Sequence, residues 1–193
     1  MASIGAITLI SCTSTPKGPQ FHKTEVIERQ GGREATPEWA IGEVAMKEDA
    51  GKVIFINTTQ MAGDARPEMC IKAAEETGRA NMMRYIKDNI TTSGQLSEQD
   101  VSSDPAVENL TAFLSQGKLS GASIGRRYWE KVVVSNAQGH RELKLRCAAQ
   151  VQISRSTLQK QLRDAVSGAK GNPEIRQQLL DAQKKFIDGL SAQ

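Results

Sequence analysis

Histidine is almost missing from this chain: His22 and His140 are the only two in 193 residues, and neither is flanked by residues at metal-ligand spacing. Both read as surface side chains, one in a tether and one in a turn. No Cys-x-x-Cys, His-Glu-x-x-His, Walker loop or Gly-x-Gly-x-x-Gly occurs either, so the short motifs of zinc sites, metalloproteases and nucleotide cradles are lacking. No metal or cofactor is expected. An excess of one charge is lacking too: 25 Lys plus Arg stand against 22 Asp plus Glu, a net +3 that falls far short of the basic field nucleic-acid binding requires. No apolar run reaches the roughly 18–20 residues that would span a bilayer. Aromatics make up 4% and apolar residues 38% of the chain, the latter below the roughly 45–50% of an average globular protein. The compact part is therefore expected to be smaller than the whole.

What is present begins at the N-terminus. Residues 1–12 are short, uncharged and mildly apolar, ending in Leu9-Ile10-Ser11-Cys12, with Thr13-Ser14-Thr15-Pro16-Lys17-Gly18-Pro19 directly behind. This resembles a bacterial lipobox, in which the chain is cut before the cysteine, the thiol carries diacylglycerol and the polar stretch acts as a tether. Cys12 is thus the expected lipidation site. No Lys or Arg precedes it, so the basic start of such a signal would lie upstream of Met1. Residues 13–36 are polar, broken by Pro16, Pro19, Gly31 and Gly32, and read as flexible tether. Acylation at Cys12 leaves Cys70 and Cys147 either to pair or to stay as buried thiols. The place of Cys147 on the apolar side of an alternating strand favours the thiols.

The globular signals start at Pro37-Glu38-Trp39, where a large aromatic stands ready to plug a core edge. Lys52-Val53-Ile54-Phe55-Ile56-Asn57 is the β-branched, continuous apolar run of a buried strand. From Arg66 to Ile90, Ile71, Ala74, Gly78, Met82, Tyr85 and Ile86 recur at helical spacing. Gly78 on that apolar stripe predicts a close approach of helix and sheet. Asp104-Pro105 supplies a cap and a first-turn proline for a short helix to Gln116. Strands follow at 124–134 and 141–153, the second alternating with a period of two. From Ser156 the tail reads as two helices, the second capped by Asn172 and opened by Pro173. Leu158 and Leu162, then Leu179 and Phe186, mark apolar stripes that can serve a core or a partner surface.

Motifs for catalysis are sparse. Gly121-Ala122-Ser123-Ile124-Gly125 fits Gly-x-Ser-x-Gly, but a nucleophile elbow needs a strand before the serine and a helix after it, the reverse of the order here. Arg126-Arg127-Tyr128-Trp129-Glu130-Lys131 mixes cations with aromatics. A period of two puts Arg126, Tyr128 and Glu130 on one face and Arg127, Trp129 and Lys131 on the other. Together with Trp39, Tyr128 and Trp129 are the candidates for contact with a ligand.

The order Pro37-Glu38-Trp39, Gly51-Lys52-Val53-Ile54-Phe55-Ile56, Ala73-Ala74 through Gly78-Arg79-Ala80-Asn81-Met82-Met83 to Ile86, and Arg127-Tyr128-Trp129 with its Gly-turn strand resembles the LPP20-like bacterial outer-membrane lipoproteins. The resemblance covers residues 37 to about 153 and implies a small βαββ domain in a family of surface antigens and flagellar basal-disk components, with no shared active site. The expected fold is α+β: the 66–90 helix on a three-stranded, mainly antiparallel sheet, in a domain of residues 37–154, followed by a helical extension over 155–193. The expected function is non-enzymatic, a lipid-anchored envelope protein at the outer membrane, on its periplasmic side or at the cell surface. It would build or support an assembly such as a flagellar or secretion ring through its sheet edge and C-terminal helices, with further copies or other envelope proteins as partners. The alternative is an envelope module that presents its aromatics to peptidoglycan, polysaccharide or a small ligand.

Overall fold

The computed structural model describes residues 24–41, 46–93, 104–116, 119–135 and 139–190. In chain order these form β1 (Thr24–Arg29), a one-turn α1 (Glu38–Ile41), β2 (Met46–Asp49), β3 (Lys52–Ala62), α2 (Pro67–Ser93), α3 (Pro105–Ser115), β4 (Ser123–Ser135), β5 (Arg141–Ser154), α4 (Arg155–Ser167) and α5 (Pro173–Leu190). The strands make one antiparallel sheet in the order β1-β4-β5-β3-β2. The α+β class stands, and the sheet has five strands where three were expected.

β5 sits at the centre because it can satisfy both faces. Leu145, Cys147, Ala149, Val151 and Ile153 alternate towards α2 and are all buried, while Arg146, Ala148 and Gln150 face the other way. α2 lies directly against this row at Gly78. A methyl group there would come within 3.1 Å of both Asn57 Cβ and Val151 Cγ2, the close approach that the glycine on the apolar stripe predicts. Asn57, buried in the sheet, donates from Nδ2 to the Ala74 carbonyl at 3.0 Å and accepts from Asn81 Nδ2 at 3.0 Å. One polar side chain thus binds the helix on both sides of its narrowest point. About two turns nearer its start, α2 is tied covalently: Cys70 is bridged to Cys147 of β5, with Cα atoms 5.9 Å apart. The buried-thiol reading is therefore corrected. Closing 77 residues of chain, the bridge stabilises the fold by about 4 kcal/mol in the chain-entropy picture.

The C-terminal helices belong to the same core. Leu158, Leu162, Leu179 and Phe186 are buried with Phe55, Ile86 and Val151 in one cluster. The rings of Phe55, Tyr85 and Phe186 run from sheet to α2 to α5 at centroid distances of 6.1 and 6.5 Å. β5 passes straight into α4, where Ser154 Oγ accepts from Thr157 N at 3.1 Å as the cap. Arg155 then joins Glu48 of β2 to Asp188 of α5. The stripe at these four positions is used up inside the chain, so they do not form a partner surface, and residue 154 does not bound a separate domain. Asp104 joins two helix starts: Oδ1 caps α3 through Ala106 N at 2.8 Å, and Oδ2 accepts from Asn172 N at 2.9 Å, just ahead of α5.

Two further expectations change. Residues 24–29, inside the segment read as tether, are the edge strand β1, paired with Glu130–Val134 of β4. Neither outer strand suits strand addition: β1 is charged and bulged between Val26 and Glu28, and β2 has four residues, three of them charged. Residues 1–23, including Cys12 and the first part of the segment read as tether, lie outside the described residues.

Leu179→Ala discriminates core from interface. As a core deletion it should cost about 2–5 kcal/mol in urea unfolding and leave the oligomeric state unchanged by light scattering. Wild-type stability with an altered particle size would return Leu179 to a surface role.

Candidate functional site

Gly31 and Gly32 follow β1 with φ of 68° and 65°, a left-handed backbone that other residues rarely adopt. They turn the chain back over the face of the sheet away from α2, where residues 33–41 lie as a strap ending in α1. The strap's apolar end is small: Trp39 and Ala40 pack on Tyr128 of β4 and Ala148 of β5. Its polar end is held by a carboxylate.

Glu130, with a side chain 0% exposed, lies beneath that polar end. Its Oε2 accepts from Thr36 Oγ1 at 2.6 Å and from Tyr128 OH at 3.0 Å. Oε1 accepts from Arg146 Nε at 2.7 Å and from a second nitrogen of the same guanidinium. Arg29 Nε stands 3.9 Å from Oε2 and donates to Thr36 Oγ1 at 3.3 Å. Burial alone would raise the carboxyl pKa. The hydrogen bonds from Thr36 and Arg146, with the charge of Arg146, outweigh it and hold Glu130 below its ordinary value of 4.5. Tyr128 moves the other way: burial raises it, opposed by Thr36 and reinforced by Glu130, so its hydroxyl stays protonated and donating. A carboxylate this fully bonded has no free lone pair to offer a substrate. Its work is to fix β1, the strap and β4 to one another.

Beside this tie, an open cleft of about 410 Å³ is lined by Arg33, Pro37, Trp39, Arg126, Arg127 and Tyr128. Its position follows from the pairing. β1 reaches only Glu130–Val134, so the first part of β4 is a free edge, and a bulge between Ile124 and Arg126 shifts the register there. Arg127 leans to the α2 side and pairs with Glu75. Arg33 and Arg126 are exposed and make no hydrogen bond or ion pair among the described residues.

The structure brings two of the three candidate aromatics together. Trp39 and Tyr128 share the strap side, whereas Trp129 lies on the opposite face against Cys70, Cys147 and Leu145. Leu158, Leu162, Leu179 and Phe186 lie in the core, and Cys12 lies outside the described residues. Ser123 opens β4 while His140 precedes β5 opposite the far end of β4. Twelve strand residues, about 40 Å, separate the two ends, so no Ser–His pair forms. Among the described residues no group of His, Cys, Asp and Glu is placed to hold a metal ion, and no helix is long and apolar enough to cross a membrane. Glu130 and its partners went unnoticed in the sequence, where the signal was the shared face of Tyr128 and Glu130.

Comparison with protein-family models finds no matching family, and comparison with curated proteins and with solved structures finds no similar protein.

Glu130→Gln should cost about 2–3 kcal/mol at pH 7, less than the roughly 3–5 of a fully enclosed pair, because Arg146 is 30% exposed and can be hydrated. A carboxyl with a lowered folded pKa stabilises above its unfolded value and loses that contribution as pH falls through the folded one. The gap between wild type and variant should therefore narrow below pH 4.5 in urea titrations. A gap independent of pH would contradict the tie.

Proposed function

We propose that this chain is an exported, lipid-anchored envelope protein that takes part in an outer-membrane-associated assembly and catalyses no reaction. The observation that carries this reading is the Cys70–Cys147 bridge. Disulfides persist in oxidising compartments and are rare where thiol reductants operate, so a bridge across the core fits a domain that folds outside the cytoplasm. Two of the three cysteines are then accounted for, and the third is Cys12, in the lipobox-like segment followed by a polar tether. The resemblance to LPP20-like lipoproteins supports the same location and an assembly role at a flagellar or secretion ring, alongside other envelope proteins and further copies of the chain. With the C-terminal stripes buried and both outer strands charged, contact with such partners falls to the strap side and the exposed helix faces.

A second reading, a module that binds a cell-wall component or small ligand, is favoured by one observation: the cleft at Trp39 and Tyr128 carries two uncommitted arginines.

Fractionation of the native cell tests the anchor. The wild-type protein should be recovered from detergent-extracted outer membrane with a mature chain beginning at acylated Cys12, and Cys12→Ala should leave the membrane fraction. Recovery of an unprocessed wild-type chain in the cytoplasm would overturn the proposal.

A further inference from the structure

We infer that the cleft between the strap and β4 binds an oxyanion, a carboxylate or phosphate, carried on a sugar or other ring that packs on Trp39. The inference deepens the binding-module reading and rests on it, and it stands whether or not Cys12 is acylated.

Charge is the first argument. Three of the six residues that line the cleft are arginines and none is acidic. Arg127 is paired with Glu75, and the nearest buried carboxylate, Glu130, is saturated by Arg146, Thr36 and Tyr128. Among the described residues the side chains of Arg33 and Arg126 have no hydrogen-bond or ion-pair partner, which leaves their donors to a ligand. A guanidinium matches the planar, two-oxygen face of a carboxylate or phosphate better than an ammonium does, and two such forks converging on one opening select an anion.

Backbone is the second argument. Arg33 directly follows the two left-handed glycines, and Arg126 ends the β4 bulge. The two segments that carry these irregularities are joined a few residues further on by the 2.6 Å hydrogen bond from Thr36 Oγ1 to Glu130, residues 94 apart in sequence. Both arms of the cleft are thereby positioned before any ligand arrives, which lowers the ordering cost of binding. The half-buried Trp39 and Pro37 supply the apolar wall on which a ring can lie.

N-acetylmuramic acid, its neutral counterpart N-acetylglucosamine and inorganic phosphate are the probes, titrated at constant ionic strength into the full chain while the Trp39 indole N–H is followed by NMR. N-acetylmuramic acid should shift Trp39 saturably, N-acetylglucosamine should not, and binding should weaken about tenfold or more in an Arg33→Gln/Arg126→Gln variant. Both arginines are exposed, so the variant should keep the wild-type circular dichroism, and Lys184→Gln, on the far side of the domain, should bind normally. Phosphate binding more tightly than N-acetylmuramic acid would keep the oxyanion and assign it to a phosphate source. Equal binding of the neutral and acidic sugars, or wild-type affinity in the double variant, would overturn the oxyanion and leave the binding module standing. No response of Trp39 to any probe would overturn both.

Discussion

Everything in this fold depends on how closely α2 approaches β3 and β5. At Gly78 even a methyl group would press on Asn57 and Val151 at 3.1 Å, and Asn57 uses the close approach to bond the helix at Ala74 and Asn81. With the helix seated that low, Cys70 comes within bridging distance of Cys147, and the remainder of α2 offers Met82, Tyr85 and Ile86 to the C-terminal helices. Four helices then share one face of the sheet and one core. That arrangement explains why a chain with so few aromatics holds together: three rings in series, a bridge and a buried amide do what a larger aromatic core does elsewhere.

The other face is organised on a different principle. It is too sparsely apolar to hold a second helical layer, and it takes a strap of nine residues fixed by a single carboxylate. Glu130 satisfies Thr36, Tyr128 and Arg146 at once and tolerates burial because each oxygen is bonded. The consequence is a bonded seam beside which two arginines have no partner among the described residues. Helix side and strap side thus divide the labour, one for stability and one for contact.

Much of this was legible in the sequence. The β3 run, the α2 stripe, the caps at Asp104 and Asn172 and the meaning of Gly78 all follow from short-range rules, because each reflects a local steric or hydrogen-bonding demand. Three features were not. β1 is an edge strand whose residues, Thr-Glu-Val-Ile-Glu-Arg, are mostly solvated on both faces, so composition alone classes it with the tether. The stripes at Leu158, Leu162, Leu179 and Phe186 show that a face is buried without saying against what. The Glu130 cluster is assembled from residues up to 117 positions apart, with Arg29 and Arg146 at its extremes, and no window of sequence contains it. The split of Tyr128 and Trp129 between opposite faces, by contrast, followed directly from the period of two.

On the proposal above, this domain folds and works in an oxidising compartment at the cell envelope. The most direct test is to alkylate all accessible thiols in intact native cells, then map the cysteine peptides without reduction. The account predicts one cross-linked species joining the Cys70 and Cys147 peptides. Recovery of Cys70 and Cys147 as separate alkylated thiols would contradict it, and with it the placement of the protein outside the cytoplasm.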